Sequence, residues 1–336
     1  REERVNAAAS LEREWPASPM KAYFYLAMAL NAGMVKELKP QLDAILSTHS
    51  QDLSLQYRVQ AFLPTFSEEA SRALIGRETG FGEVHFLLGQ RAVLDARLAD
   101  AYRELSRARQ LLPDSAAMSL VQANVAMAYA RYPEALALYD RVVAAGPDQN
   151  ARLGRARALR YLGRHTDAIT VLDELLQDLQ DNPGEKHYWR AWNHLRLSEL
   201  QAAYDDATAA LKAMRNNEAY RLAGIASFNL NRLGEARGYF IEALRINRGD
   251  CDAERYLGQL DAVERVWQPA AGHFAQAVAC CDAALIGLRG ELAELEQDIT
   301  GLSNALIATK RGEIREAEGL RANAATNAAI ASKNAP

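Results

Sequence analysis

The stretch RYLGRHTDAITVLDEL, residues 160–175, decides how this chain reads. It holds an apolar helix end, a break at Leu162-Gly163-Arg164-His165, and a second amphipathic run with Ala168 at its centre. His165 and Asp167 stand close enough for an acid–base pair, and the same spacing suits a polar turn between two helices. Recurrence along the chain separates the two readings.

The pattern recurs. Ala101, Ala135, Ala168, Ala203, Ala236 and Ala270 follow one another at intervals of 34, 33, 35, 33 and 34. Twelve residues before each stands a small residue: Gly89, Ala123, Ala156, Ala191, Gly224 and Gly258. Four residues after each come Leu105, Tyr139, Leu172, Ala207, Phe240 and Phe274, and three further on Ala108, Val142, Leu175, Ala210, Ala243 and Ala277. Helix axes approach within about 8 Å only where side chains are small, so a recurring Gly or Ala marks a crossing. The matching turns read ARYPEA, LSELQAA and NRLGEA, without histidine. His165 and Asp167 therefore read as turn residues in water.

These registers resemble the tetratricopeptide repeat (TPR) family, whose unit of about 34 residues is two antiparallel helices, A and B. The cleanest match is LNRLGEARGYFIEALRIN, residues 230–247. The resemblance implies an all-α fold, an α-solenoid in which TPR-like helix pairs form a right-handed superhelix. Degenerate helical pairs are expected over residues 1–81, six repeats over 82–283 and a long C-terminal helical hairpin over 284–336. Within the first segment, 54–76 supplies Ala70 and Leu74 but has Arg58 at the crossing, and 21–46 suggests another pair turning near Ala32-Gly33. Such departures suit terminal repeats, which cover an otherwise exposed core. Past 283, Leu285, Leu288, Leu292, Leu295, Ile299 and Leu302 form a heptad-like seam. Thr300-Gly301-Leu302-Ser303 then offers a stop and a new N-cap, followed from Asn304 by a helix with Ile307, Ile314, Ala317, Ala324 and Ala328 on one face. A single protruding helix used for dimerisation is the alternative.

Composition removes several function classes. The net charge of −4 over 336 residues argues against a nucleic-acid binder held by bulk charge. The longest apolar stretch, AYFYLAMALNAGMV (22–35), falls short of the roughly 20 residues that span a bilayer, so no spanning segment is expected. The chain opens on REERVNAAASLEREW, without initiator Met or signal pattern, as a portion of a longer protein would. The compartment stays open between cytoplasm and periplasm. Cys251, Cys280 and Cys281 are too few for a disulfide framework and read as reduced thiols. A bridge from Cys251 to Cys280 or Cys281, across the last repeat, is the alternative. There is no glycine-rich phosphate loop, HExxH, CxxC or serine elbow. His187 and His194, seven residues apart, stand about 10 Å apart along a helix, too far to share a metal. Glu291, Glu294 and Glu296 read as a solvated face. No catalytic residue, metal or cofactor is expected.

The resemblance also implies where a partner sits, because exposed A-helix positions of this family line a concave groove for extended peptides or a partner's helix. Carrying the register over gives Phe86, Gln90, Val93 and Leu94, then Leu120, Asn124 and Met127, an apolar half. Arg157, Arg160 and Tyr161 follow, then Tyr188, Trp192 and Arg196, then Arg221, Ile225, Phe228 and Asn229, then Arg255 and Gln259. Arginine forks suit carboxylates and stack on rings, which predicts an acidic or carboxylate-bearing segment gripped around Arg157, Arg160, Trp192, Arg196 and Arg221. The competing reading pairs these arginines with Glu185, Glu218 and Asp252. The family's Lys/Asn carboxylate clamp is not reproduced, since matching lysines are absent. Arg155 and Arg190 occupy places where the family has a buried Leu, so those two A helices are open to a one-residue slip, as the Trp189/Trp192 pair illustrates.

The expected function is a non-catalytic protein–protein interaction scaffold. The alternatives are a structural subunit or periplasmic spacer of a secretion, pilus or polysaccharide-export assembly, or the repeat portion of a larger enzyme. The C-terminal helices offer a surface for self-association.

Overall fold

Small residues at fixed spacing, polar caps and a recurring turn build the fold. The computed structural model describes residues 68–77, 80, 82–112, 115–177, 183–298 and 300–335, with single positions between 40 and 57. The 22–35 stretch, the Ala32-Gly33 turn and Arg58 lie outside the described residues. The chain divides into two compact units, residues 1–118 and 119–336. The first holds α1 (Glu68–Arg77), α2 (Gly82–Leu94) and α3 (Leu98–Leu111). At the junction opens α4 (Ala116–Ala128). The second unit continues with α5 (Tyr132–Ala145), α6 (Gln149–Tyr161), α7 (His165–Leu176), α8 (Gly184–Arg196) and α9 (Leu200–Leu211). It closes with α10 (Asn217–Asn229), α11 (Leu233–Ile246), α12 (Cys251–Val263), α13 (Trp267–Leu295) and α14 (Asn304–Asn334). The fold class is all-α, a solenoid of helix pairs.

Three of the first helices, α6, α10 and α12, begin on side-chain caps that satisfy an orphan N–H, whereas α8 starts at Pro183 without one. Asp148 accepts from the amide of Ala151 at 2.8 Å, Asn216 from Ala219 at 2.9 Å and Asp250 from Ala253 at 3.0 Å. Each pair then closes on the expected small residues. Ala101, Ala135, Ala168, Ala203, Ala236 and Ala270 are all fully buried. A Cβ on Gly89 would stand 2.7 Å from Cγ of Leu105, and one on Gly224 2.6 Å from Cε1 of Phe240. The crossing residue and the larger residue sixteen positions later thus share one volume.

Between the helices of each pair lies a left-handed residue: Ala96, Ala130, Gly163, Ser198, Asn231 and Arg265, with φ between 55° and 75°. The amide after each returns to a carbonyl five residues back, as Arg97 does to Ala92 at 2.8 Å and Arg164 to Leu159 at 2.9 Å. This is a Schellman closure, which glycine adopts without strain. Ala96 is exposed. Ala96→Gly therefore relieves a left-handed Cβ and should stabilise the first unit by about 1 kcal/mol, whereas Gly163→Ala should cost the second unit a similar amount. Denaturant titration of both variants checks the pair of signs.

In the second unit, α6 touches α8, α8 touches α10 and α10 touches α12, each besides its own partner. That lines these first helices up along one inner face of the unit. Arg155 and Arg190 do not shift the register, since Ala156 and Ala191 remain buried. Their guanidiniums turn to carboxylates of the second helices instead, Arg155 to Asp140 at 2.7 Å and Arg190 to buried Asp206 at 2.6 Å and to Asp173.

The last second helix, α13, runs on to Leu295, and α14 folds back along it as a hairpin, returning Ala331 to Ala270 and Phe274. One helix bears on the expectation that no segment spans a membrane. By length and composition α13 is apolar enough to cross a membrane. Alanines and two cysteines raise its hydropathy without forming an obvious apolar block. Its first half buries Ala270, Phe274 and Ala277 as the core of the last pair.

Candidate partner-binding face

The inner face of the second unit gathers its arginines through a tryptophan outside the expected groove set. Trp189, on α8, lies under two guanidiniums from α6, Arg157 and Arg160, each 5.2 Å from its ring centroid. Arg160 also stands 5.5 Å from Trp192 and 4.9 Å from Tyr161. Tyr161 stacks in turn on Tyr132 of α5, with centroids 4.6 Å apart. Tyr188 packs edge-on against Trp189 at 5.1 Å, and burial raises its hydroxyl pKa. Trp189 is oriented by its own Nε1, which donates to Glu185 at 3.0 Å.

Stacking holds a guanidinium by its face and leaves its N–H edges unused. The Nε atoms of Arg157 and Arg160 are buried and make no hydrogen bond. Neither residue, nor exposed Arg196, has a carboxylate partner among the described residues. A buried donor without a partner is costly, and a carboxylate supplies what is missing.

Further along, the arginines are already neutralised. Arg221 donates to Asp250 at 3.2 Å and Arg255 to Asp252 at 2.9 Å, with Arg255 also lying 4.1 Å over Tyr256. Of the carboxylates in the competing reading, Asp252 takes an arginine and Glu185 a tryptophan. Arg221 goes to Asp250 in place of Glu218. Phe228 meets the edge of Tyr256 at 5.2 Å. At the apolar end, Leu120 and Met127 pack on the cluster around Tyr139, whose hydroxyl donates to Asn124 at 2.7 Å. Phe86 and Leu94 belong to α2 of the first unit, Phe86 half-buried and Leu94 78% exposed.

Polar residues read as inert from sequence have partners. His165 is more than a turn filler, since its Nδ1 meets Oδ1 of fully buried Asn193 at 2.9 Å and ties α7 to α8. Asp167 pairs with Arg164 at 2.7 Å. His187 and His194 both turn to buried Asp206, at 2.7 and 3.6 Å. The same helix-to-helix spacing of nineteen residues joins His85 to Glu104 and Glu254 to His273, both at 2.7 Å. Cys251, Cys280 and Cys281 are free thiols within reach of one another, and burial pushes all three up in pKa, so they stay protonated at neutral pH. No group of three metal-ligating side chains is placed to hold an ion among the described residues.

A tetratricopeptide repeat family model matches residues 86–150 and 120–184. The ER membrane protein complex subunit 2-A of Xenopus laevis is 30% identical over 124 residues, 35% of this chain and 41% of that protein. Subunit 2 of Xenopus tropicalis matches to the same extent. The chain thus spans well under half the length of these curated relatives. Among solved structures, the APC/C hetero-tetramer Cut9-Hcn1 superposes with a TM-score of 0.53 at 14% identity, over 86% of this chain and 52% of that one. MamA from Desulfovibrio magneticus RS-1 gives 0.46 at 20% identity, over 50% and 96%. Repeats of this kind generally serve as scaffolds for protein interaction. The family model marks residues 86–184 as tetratricopeptide repeats, and the same buried crossing and left-handed turn recur in the described pairs beyond them.

Proposed function

We propose that this protein is a non-catalytic interaction scaffold whose first helices hold an acidic segment of a partner at Arg157, Arg160 and Arg196. One observation carries the reading. Two arginines are stacked on Trp189 and Trp192 with buried, unsatisfied Nε donors and no carboxylate of their own. Arg221 and Arg255, further along the same face, find a counter-charge within the chain. Side chains held ready without one suit an anion supplied from outside. Rings on either side favour a peptide over a bare ion, since they offer apolar surface to the stems of Glu or Asp.

A glutamate-rich, fluorescein-labelled peptide tests this in the full chain, beside its lysine-rich counterpart. Binding of the first should exceed the second, weaken with salt, and fall at least tenfold in the Arg160→Glu, Arg196→Glu double variant. Unchanged affinity with an intact circular dichroism spectrum would end the acidic-ligand reading. The relatives in Xenopus are subunits of a membrane protein complex, which favours as partner another subunit of an assembly.

A further inference from the structure

The C-terminal hairpin leaves one long face uncovered. The other second helices of the unit run 12 or 14 residues, whereas α13 runs 29. The excess of about 15 residues carries its end about 22 Å past the last pair at 1.5 Å per residue. Along this shaft α13 and α14 pack on each other, and Leu285 and Ile314 are buried. Ile286, the residue after Leu285, is 74% exposed. Its neighbours on the same stripe are small. Ala279, Ala283, Gly290 and Ala293 are all exposed, and through Ile286 they follow a spacing of four, three, four and three. A Cβ on Gly290 would meet nothing within 4 Å among the described residues. Small side chains let a second helix axis come close.

Ile286 also lines a groove of about 490 Å³ between the two helices, together with Asp282, Leu285, Arg289, Glu318 and Arg321. Ion pairs close it at both ends. Arg321 donates to Asp282 at one end, and Arg289 meets Glu318 at 2.8 Å at the other. All four charged side chains are about half exposed. Each pair crosses the groove, so the signs alternate around the apolar centre: opposite along each helix and opposite between the helices.

This arrangement is its own complement. A two-fold axis lying across the hairpin at Ile286 lays α13 antiparallel on a second α13. Asp282 stands four residues before Ile286 and Arg289 three after it, so each comes opposite the other of the second copy. The same axis sets Glu318 opposite Arg321 on α14. Ala279 and Ala293, seven residues either side of Ile286, also exchange places. A closed pair of identical chains requires such a self-matching patch. We infer that this face of the hairpin is a homodimer interface, with α13 crossing its copy at Ile286 inside an alternating ring of carboxylates and guanidiniums. A lipid surface, the other claimant for an exposed apolar helix, would strip water from those four charges. None of these residues belongs to the acidic-segment site.

Sedimentation velocity on the full chain tests the interface. The wild type should sediment as a dimer at about 100 μM and dissociate on dilution. Ile286→Glu should weaken dimerisation about tenfold or more with an unchanged circular dichroism spectrum, since the side chain is exposed in the single chain. The double variant Asp282→Arg, Arg321→Asp keeps an ion pair within the hairpin but makes both corners of α13 positive and both of α14 negative. Like charges then face each other across the axis, and the dimer should be lost. Adding Arg289→Asp and Glu318→Arg inverts every sign, restores the alternation and should restore the dimer. A wild type that stays monomeric at that concentration overturns the inference, as does a dimer that survives Ile286→Glu or the two-residue exchange. A monomer that floats with phosphatidylcholine vesicles, and no longer does so with Ile286→Glu, overturns it in favour of a membrane surface.

Discussion

Asp206→Ala lowers the stability of the second unit by about 3 kcal/mol, the scale for stripping one partner from a buried charge pair. The carboxylate is 4% exposed on α9 and serves α8 from below. One oxygen accepts from Nδ1 of His187 at 2.7 Å and from a terminal nitrogen of Arg190 at 2.6 Å, and the other accepts from Nε of Arg190 at 2.6 Å. Without it, a guanidinium and an imidazole face each other across a helix contact that buries Tyr188, Ala191 and Ala207. Arg190 keeps Asp173 and some access to water, which holds the loss below the upper end of the range.

The pH dependence has a definite sign. Burial pushes the Asp206 carboxyl up, but His187 and Arg190 together outweigh it, so its pKa is lowered in the fold. A lowered carboxylate stabilises the protein above its unfolded pKa, and that stabilisation disappears as pH falls through the folded value. Denaturation at a series of acid pH values should therefore show the wild type losing its advantage over Asp206→Ala. Parallel curves would mean that the ion network is not coupled to folding. His273 works in the opposite direction. Its bond to Glu254 raises its pKa, so its contribution is present below the unfolded value and is lost as pH rises through the folded one.

Crossings were legible in the sequence because a missing side chain is a letter. Glycine or alanine twelve residues before each central alanine states directly where two backbones meet. The left-handed turns were not, since the backbone geometry is shared by Ala96, Ser198 and Arg265 as well as by Gly163. The surrounding hydrogen bonds impose that geometry, and only Gly163 and Asn231 of the six residues advertise it. The histidine–carboxylate ties were hidden for another reason. Their spacing of nineteen recurs, but the order reverses between His187–Asp206 and Glu254–His273, so no letter repeats. At the partner-binding face, sequence supplied the arginines and one flanking tryptophan. It could not sort paired from unpaired, because Asp250, the N-cap of α12, reaches back 29 residues to Arg221 on α10, while Asp252 takes Arg255 three residues along its own helix. Trp189 and Tyr132 escaped because a register counts one stripe per helix, whereas an indole reaches around its helix and Tyr132 belongs to a second helix.

Phe240→Ala carries the largest expected cost, about 4 kcal/mol, as the ring is fully buried and its removal opens a cavity that flanking helices cannot close. It stacks on Tyr256 of the next repeat at 4.9 Å and faces Gly224 of its own. The ring is therefore fixed from both sides. Gly224→Ala alone should cost about 2 kcal/mol by overpacking, since the new Cβ stands 2.6 Å from a ring that cannot turn away. The other pairs show how the conflict resolves. Leucine stands opposite both Gly89 and Ala156, and Ala207 opposite Ala191, whereas the Tyr139 ring, in register with Ala123, turns to Gly154 of the next helix. Phe240→Leu leaves a gap, and Gly224→Ala placed on it recreates the Ala–Leu pair of α6 and α7. The double variant should then be less destabilised than the sum of the singles by about 1 kcal/mol or more, the size of coupling found between residues in contact. Because each repeat contacts only its neighbours, hydrogen exchange should show the damage in α10, α11 and α12 and spare α4 to α6. Strict additivity in denaturant titration would mean that Gly224 and Phe240 do not share one volume, and that the crossing lies elsewhere on α10.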